Sequence, residues 1–231
     1  MALSGLMLAK ACRKISDGTS IVASMGYPDI IAEESLIKKI LGDKFQNLEY
    51  RDDSDFICRR HSIPQRKIPY SESLFSLLGA KLTVFDVESI RGGEIVVDLN
   101  YPIPHEHHRQ YDIVLDVGTL EHCFNIGQAA INMAYLVKVG GHIFHENPFN
   151  WGNHGFYGIN PTWYFDFYEC NGFKVEDYKL ISRFSGVVPS NNTSRFIFVG
   201  DEALSYVMAK KEKDFEITFP TQTKYRKKHG S

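Results

Sequence analysis

Three short runs in the middle of this chain restrict its fold more than any other feature. Residues 81–86 (KLTVFD), 94–100 (EIVVDLN) and 111–116 (YDIVLD) are apolar and rich in β-branched residues, and each delivers a carboxylate at or near its end: Asp86, Asp98 and Asp116. Strands covered on both faces need continuous apolar runs, whereas strands with one wet face alternate. Segments at helical spacing lie between and around them. Residues 30–41 place Ile31, Leu36, Ile37, Ile40 and Leu41 on one side and stop at Gly42. Residues 71–78, 126–137 and 161–170 read as further helices, the last rich in aromatics, while 19–25, 142–146, 173–182 and 194–199 read as strands. Helices alternating with strands predict an α/β domain with a doubly wound sheet of about seven mostly parallel strands. Residues 173–182 and 194–199 would form an antiparallel hairpin at its edge. Ligands of such sheets gather at the carboxyl ends of the strands, where these acids fall.

A chain of 231 residues has room for one domain of this kind. Its net charge of -2 supplies no electrostatic attraction to nucleic acid or to an anionic membrane. No run approaches the roughly 20 apolar residues of a membrane span. Cys12, Cys58, Cys123 and Cys170 form no CxxC pair, so a reducing cytoplasm is expected rather than a disulfide frame or a structural zinc. The opening residues lack a basic start and read as an amphipathic helix, not a signal peptide. Residues 43–70 are dense in charge and turn formers, Pro64 and Pro69 among them, and are expected to be an inserted loop or lid. The charged tail, 210–231, is expected to be loosely ordered, which leaves 1–209 as the domain.

Residues 111–122 (YDIVLDVGTLEH), a helix, and then 137–144 (VKVGGHIF) resemble the fourth and fifth strands of the class I S-adenosylmethionine-dependent methyltransferases. In that family a strand ending in a Leu-Glu-His turn is followed by a Lys-x-Gly-Gly hinge. The resemblance covers most of 19–200. It implies a single Rossmann-like domain, S-adenosylmethionine as cofactor, and methyl transfer to an oxygen or nitrogen of a small polar acceptor. It also implies site residues. Asp86, with Val87 beside it, would take the ribose diol, since a carboxylate accepts two hydrogen bonds at once. Asp98 and Leu99 would meet the adenine, Gly26 and Tyr27 would stand at the methionine end, and Gly118 would let the backbone approach a flat ligand. One departure is plain. Where the family has a glycine-rich loop, this chain has Ser24-Met-Gly-Tyr-Pro-Asp29, and Pro28 offers no N–H. That departure supports a rival reading, a methyltransferase-like binding or scaffold protein without turnover. A nicotinamide-dependent oxidoreductase would share the strand-end acid but needs a Gly-x-Gly-x-x-Gly turn that the first strand lacks.

Residues 145–157 (HENPFNWGNHGFY) are similar to a segment of methyltransferase-like proteins that act on sugars and other small polar metabolites. Neutral histidine accepts a proton from a hydroxyl or amine as a methyl group arrives. Trp151, Phe156 and Tyr157 offer flat faces to a sugar ring. His154 is the first candidate base because Gly155 permits close approach, with His145 and His122 behind it. The run His105-Glu-His-His108 does not align its side chains on one face, so no metal site is expected and a solvated loop is.

Overall fold

The computed structural model describes residues 1–16, 18–182, 186–188 and 201–225. In chain order its elements are β1 (Ala2–Leu3), α1 (Gly5–Cys12), β2 (Ser20–Met25), β3 (Asp29–Ile30), α2 (Glu34–Leu41), α3 (Ser54–Arg60), α4 (Ser71–Leu77), β4 (Ala80–Asp86) and β5 (Ile95–Val96). They continue with β6 (Tyr111–Asp116), α5 (Ile126–Leu136), β7 (Val137–Pro148), α6 (Pro161–Cys170), β8 (Phe173–Ser182), β9 (Gly186–Val188) and β10 (Ala203–Lys211). One sheet runs in the order β5-β4-β2-β6-β7-β10-β8-β9, and β1 pairs with β3 in a separate ribbon. The first five strands of that sheet are parallel. Strand β10 is antiparallel to both of its neighbours, which makes that end of the sheet an antiparallel edge.

The apolar runs are buried on both faces because successive side chains point to opposite sides of the sheet. Val22, Ile113, Leu115 and Phe144 pack with Met7, Leu8, Ile37, Leu74 and Phe75 of α1, α2 and α4. Ala23, Val114 and Ile143 pack with Ala129, Met133, Tyr164 and Phe167 of α5 and α6. The strand order reverses between β4 and β6, on either side of β2, and sheets of this kind take their ligands outside the carboxyl ends of the strands at such a point.

Several boundaries differ from the sequence reading for physical reasons. The second helix starts at Glu34, because Asp29–Ile30 is taken up in pairing with β1. Only Ile95–Val96 of the run 94–100 is a strand, at the sheet's edge. Strand β7 is longer than expected and carries Gly141, where a Cβ would fall 2.7 Å from the Asp112 carbonyl. The neighbours of β8 are β10 and the short β9, and the expected strand 194–199 lies outside the described residues.

Residues 43–70 are not structureless. They hold α3, whose Ile57 and Cys58 pack on Ile68, and backbone bonds from Arg51 N–H to the Ile68 carbonyl (2.9 Å) and from Tyr70 N–H to the Glu49 carbonyl (3.0 Å) close the segment at its base. Beyond 209, β10 continues to Lys211, a buried ammonium that donates to the carbonyls of Ala134 and Val137 at the end of α5. Thr218 and Asn171 then exchange hydrogen bonds, so the described part of the tail is laid along α6 rather than loose. In the His105–His108 loop His105 and Glu106 are exposed, as expected of a solvated loop, while the half-buried His107 meets Phe85 in a T-shaped contact and His108 stacks on Tyr135. Among the described residues no helix is long and apolar enough to cross a membrane.

Glu146 of β7 is buried and accepts the Ser4 hydroxyl (2.6 Å) at the start of α1. Burial pushes its carboxyl up to about 7 against the Ser4 donors, from an ordinary 4.5. A group whose folded-state pKa is raised contributes stability that is complete below its unfolded pKa and is lost as pH rises through the folded one. Glu146→Gln, which keeps the Ser4 bond and removes the charge, should therefore flatten the decline of stability between pH 4.5 and 7. The difference from wild type should reach about 3 kcal/mol above pH 7 in urea titrations. Parallel stability curves for the two proteins would contradict a buried, charge-averse Glu146.

Candidate active site

Strand β6 ends on Asp116, which has no exposure. Its Oδ1 accepts the N–H groups of Thr119 (2.9 Å) and Leu120 (3.1 Å), turning the chain sharply after Gly118, whose φ is +89°. Its Oδ2 accepts from Asn147 Nδ2 (2.8 Å) and lies 2.7 Å from His145 Nδ1. An ionised carboxylate only accepts, so it fixes the proton on Nδ1 and leaves Nε2 to accept the Tyr168 hydroxyl at 2.5 Å. Asn147 also donates to Glu121 Oε2 (2.9 Å) and accepts the Tyr164 hydroxyl (2.8 Å). Burial beside Asp116 holds both tyrosines well above their ordinary pKa.

Glu121 is the reactive end of this network. It is fully buried, and desolvation together with the nearby Asp116 charge pushes its carboxyl up to about 8. Among the described residues its Oε1 has no hydrogen-bond donor. That atom faces His154 Nε2 at 3.6 Å and His122 Nε2 at 4.0 Å, and both imidazoles are partly exposed. The loop carrying His154 is fastened to this spot by the Phe156 N–H, which donates to the Glu121 carbonyl (2.8 Å). Gly155 makes the approach possible, since a Cβ there would fall 2.8 Å from the same oxygen. Phe156 meets the exposed Phe124 edge-on at 5.4 Å, which sets an aromatic lip beside the histidines.

The three histidines proposed as bases thus separate. His122 and His154 come together, their rings 5.1 Å apart, and burial, then the neighbouring imidazole, lower the pKa of His122. His145 is a correction: it has no exposure, both ring nitrogens are committed, and an acceptor molecule has no access to it.

The residues proposed for a cofactor also divide. Gly26, Asp86 and Gly118 lie at or just past the carboxyl ends of β2, β4 and β6, where the strand order reverses. The Gly26 N–H donates to the Phe85 carbonyl (2.7 Å), and the Thr119 hydroxyl donates to the Met25 carbonyl across the chain reversal. Asp86 is partly exposed and its Oδ1 accepts the Val87 N–H (2.8 Å), while the Val87 side chain is open to solvent. Asp98 is turned to its own loop, accepting from Asn100 N–H (2.9 Å) and Nδ2 (2.7 Å), and Leu99 lies in the core. Tyr27 is nearly buried under Arg51 and Arg91, with its hydroxyl donating to Glu72 (2.6 Å). Over Gly26 stands the side chain of Met1, which a Cβ at Gly26 would overlap.

Asp116 was read from the sequence only as a strand-end acid, and Glu121 and Asn147 were not singled out. Glu121 sits inside the Leu-Glu-His turn that carried the resemblance, but nothing in the spacing reveals that it is buried or that residues 152–157 fold back onto it.

No protein-family model and no curated protein matches the chain. Among solved structures it is similar to a Burkholderia thailandensis 1,6-didemethyltoxoflavin N1-methyltransferase, at 12% identity over 90% of this chain and 76% of that one, with a TM-score of 0.49. It is similar to a SAM-dependent methyltransferase of Aquifex aeolicus at 10% identity over 88% of each chain, with a TM-score of 0.42. A Rhodobacter sphaeroides chain named for Zn-dependent alcohol dehydrogenases aligns at 18% identity over 58% of this chain and 43% of its own, with a TM-score of 0.32. This chain therefore spans less than half the length of that last relative. Likenesses this distant assign no activity, and the Rossmann-like fold rests on the sheet order itself.

If Asp116 organises the site, Asp116→Asn should lower the unfolding free energy by about 2–4 kcal/mol, since an amide meets donors where two charged hydrogen bonds were made. Urea titration at constant m-value measures this, and a loss under about 0.5 kcal/mol would remove Asp116 from that role.

Proposed function

We propose that this protein transfers a methyl group from S-adenosylmethionine to an oxygen or nitrogen of a small polar acceptor. What supports the reading is the reversal of strand order beside β2, with Gly26, Asp86 and Gly118 at or next to the strand ends there and the His122–His154 pair drawn to Glu121 in the turn after Gly118. The residues present fit such a cofactor at two points. Asp86 is a strand-end carboxylate within reach of solvent, suited to a ribose diol. Gly118 leaves the backbone bare, where a Cβ would stand 3.2 Å from Glu121. At the methionine end Met1 would have to swing away from Gly26.

The sulfonium donor brings an already activated methyl group, so alignment supplies most of the rate. The chain's own part is to orient the acceptor and take its proton. Phe124 and Phe156 present an apolar lip that suits a sugar face or another ring, and His154 Nε2 lies next to it as the proton acceptor. Glu121, 3.6 Å away, would stabilise the imidazolium that forms. A second reading, a binding or scaffold protein without turnover, is favoured by Met1 filling the space above Gly26.

Calorimetric titration with S-adenosylhomocysteine separates the two. Methyl transfer predicts saturable binding that Asp86→Asn weakens by about ten- to a hundredfold, the worth of a charged hydrogen bond. His154→Ala should leave that affinity unchanged while cutting S-adenosylhomocysteine release, across a panel of polyols, sugars and amino sugars, by about a hundredfold or more. No binding by wild type would sink the methyl-transfer reading, and undiminished turnover in His154→Ala would remove the base assignment.

A further inference from the structure

We propose that Glu121 Oε1, His122 Nε2 and His154 Nε2 form a binding site for a divalent transition-metal ion. All three atoms lie within 4.8 Å of one another. The two histidine nitrogens stand 4.0 and 3.6 Å from the carboxylate oxygen. Metal bonds of about 2.0–2.2 Å place neighbouring ligand atoms about 3.0–3.4 Å apart, so small imidazole rotations close the set. Both rings are partly exposed, His122 at 48% and His154 at 39% for the side chain, and neither is hydrogen-bonded elsewhere among the described residues.

An independent observation points to a cation. Among the described residues no donor meets the buried Glu121 Oε1, in a side chain whose other oxygen is held by Asn147. A buried carboxylate oxygen left bare is costly, and native structures rarely tolerate one without an ion, a water or a donor. The surrounding contacts are those of a supported ligand set. Asn147 orients the carboxylate and is itself fixed by the Tyr164 hydroxyl, while Trp151 sets its edge on the His154 ring at 4.9 Å. Backbone bonding of Phe156 to Glu121 brings the third ligand from a distant loop to a pair that is adjacent in sequence.

Two imidazoles and one carboxylate select zinc, cobalt, nickel or ferrous iron over magnesium or calcium, which prefer all-oxygen shells. Three protein ligands leave coordination positions open toward the aromatic lip, where water or an acceptor hydroxyl would bind. An ion there would convert the imidazoles from proton acceptors to ligands, and a hydroxyl bound to it would ionise more readily. The inference does not rest on methyl transfer, because it is tested without cofactor or acceptor.

The test is titration of chelator-treated full-length protein with Zn²⁺ by calorimetry and with Co²⁺ by visible absorption. The expected result is one ion per chain, intense Co²⁺ bands of a low-coordinate site, and no response to Mg²⁺ at the same concentration. His122→Ala and His154→Ala, at partly exposed positions, should fold as wild type by circular dichroism and weaken binding at least about tenfold each. Glu121→Gln should do the same. Absence of binding by wild type overturns the proposal. So does undiminished binding in both histidine variants, which would put the ion elsewhere on the chain.

Discussion

One buried carboxylate holds the functional end of this molecule together. Asp116 leaves the sheet fully buried and is satisfied on both oxygens, by two backbone N–H groups and by His145 and Asn147. Those bonds set the turn after β6, fix the tautomer of His145 and orient Asn147 toward Glu121. Without them two charged or polar layers would be left unpaired in the core. Tyr164 and Tyr168 of α6 close the network from the other side, so helix packing and site geometry are one construction.

The network's chemical consequence is a mismatch of neighbours. Asp116 is held by four donors, whereas Glu121 is desolvated beside a like charge and so resists ionisation. A cation or imidazolium beside Oε1 would supply the compensating charge that its ionised form needs, and both side chains that Oε1 faces are histidines. The exposed rim supplies shape and the buried layer supplies the electrostatics.

Much of the fold was legible in the sequence because continuous β-branched runs have few alternatives. Residues 111–116, 161–170 and 173–182 coincide with β6, α6 and β8. What spacing could not reveal were contacts made over distance. The pairing of Asp29–Ile30 with β1 shortens a helix, and Ile57, Cys58 and Ile68 give a charged segment a small core of its own. The tail beyond 209 found order through Lys211 and Thr218. In the site, the proximity of His154 to Glu121 depends on one backbone hydrogen bond and one glycine. His145 was misjudged for the complementary reason: a histidine on a strand reads alike whether its partners are buried or solvent. Met1 over Gly26 had no sequence signal at all.

The central claim is that the strand ends beside Gly26, Asp86 and Gly118 receive a nucleoside with a thioether arm. A crystal structure of the protein with S-adenosylhomocysteine tests this directly. Ribose hydroxyls should lie on the Asp86 carboxylate and the adenine near the start of the loop after β5, with the Met1 side chain displaced from above Gly26. Density for the ligand elsewhere, or none at these strand ends with Met1 still in place at saturating ligand, would contradict it.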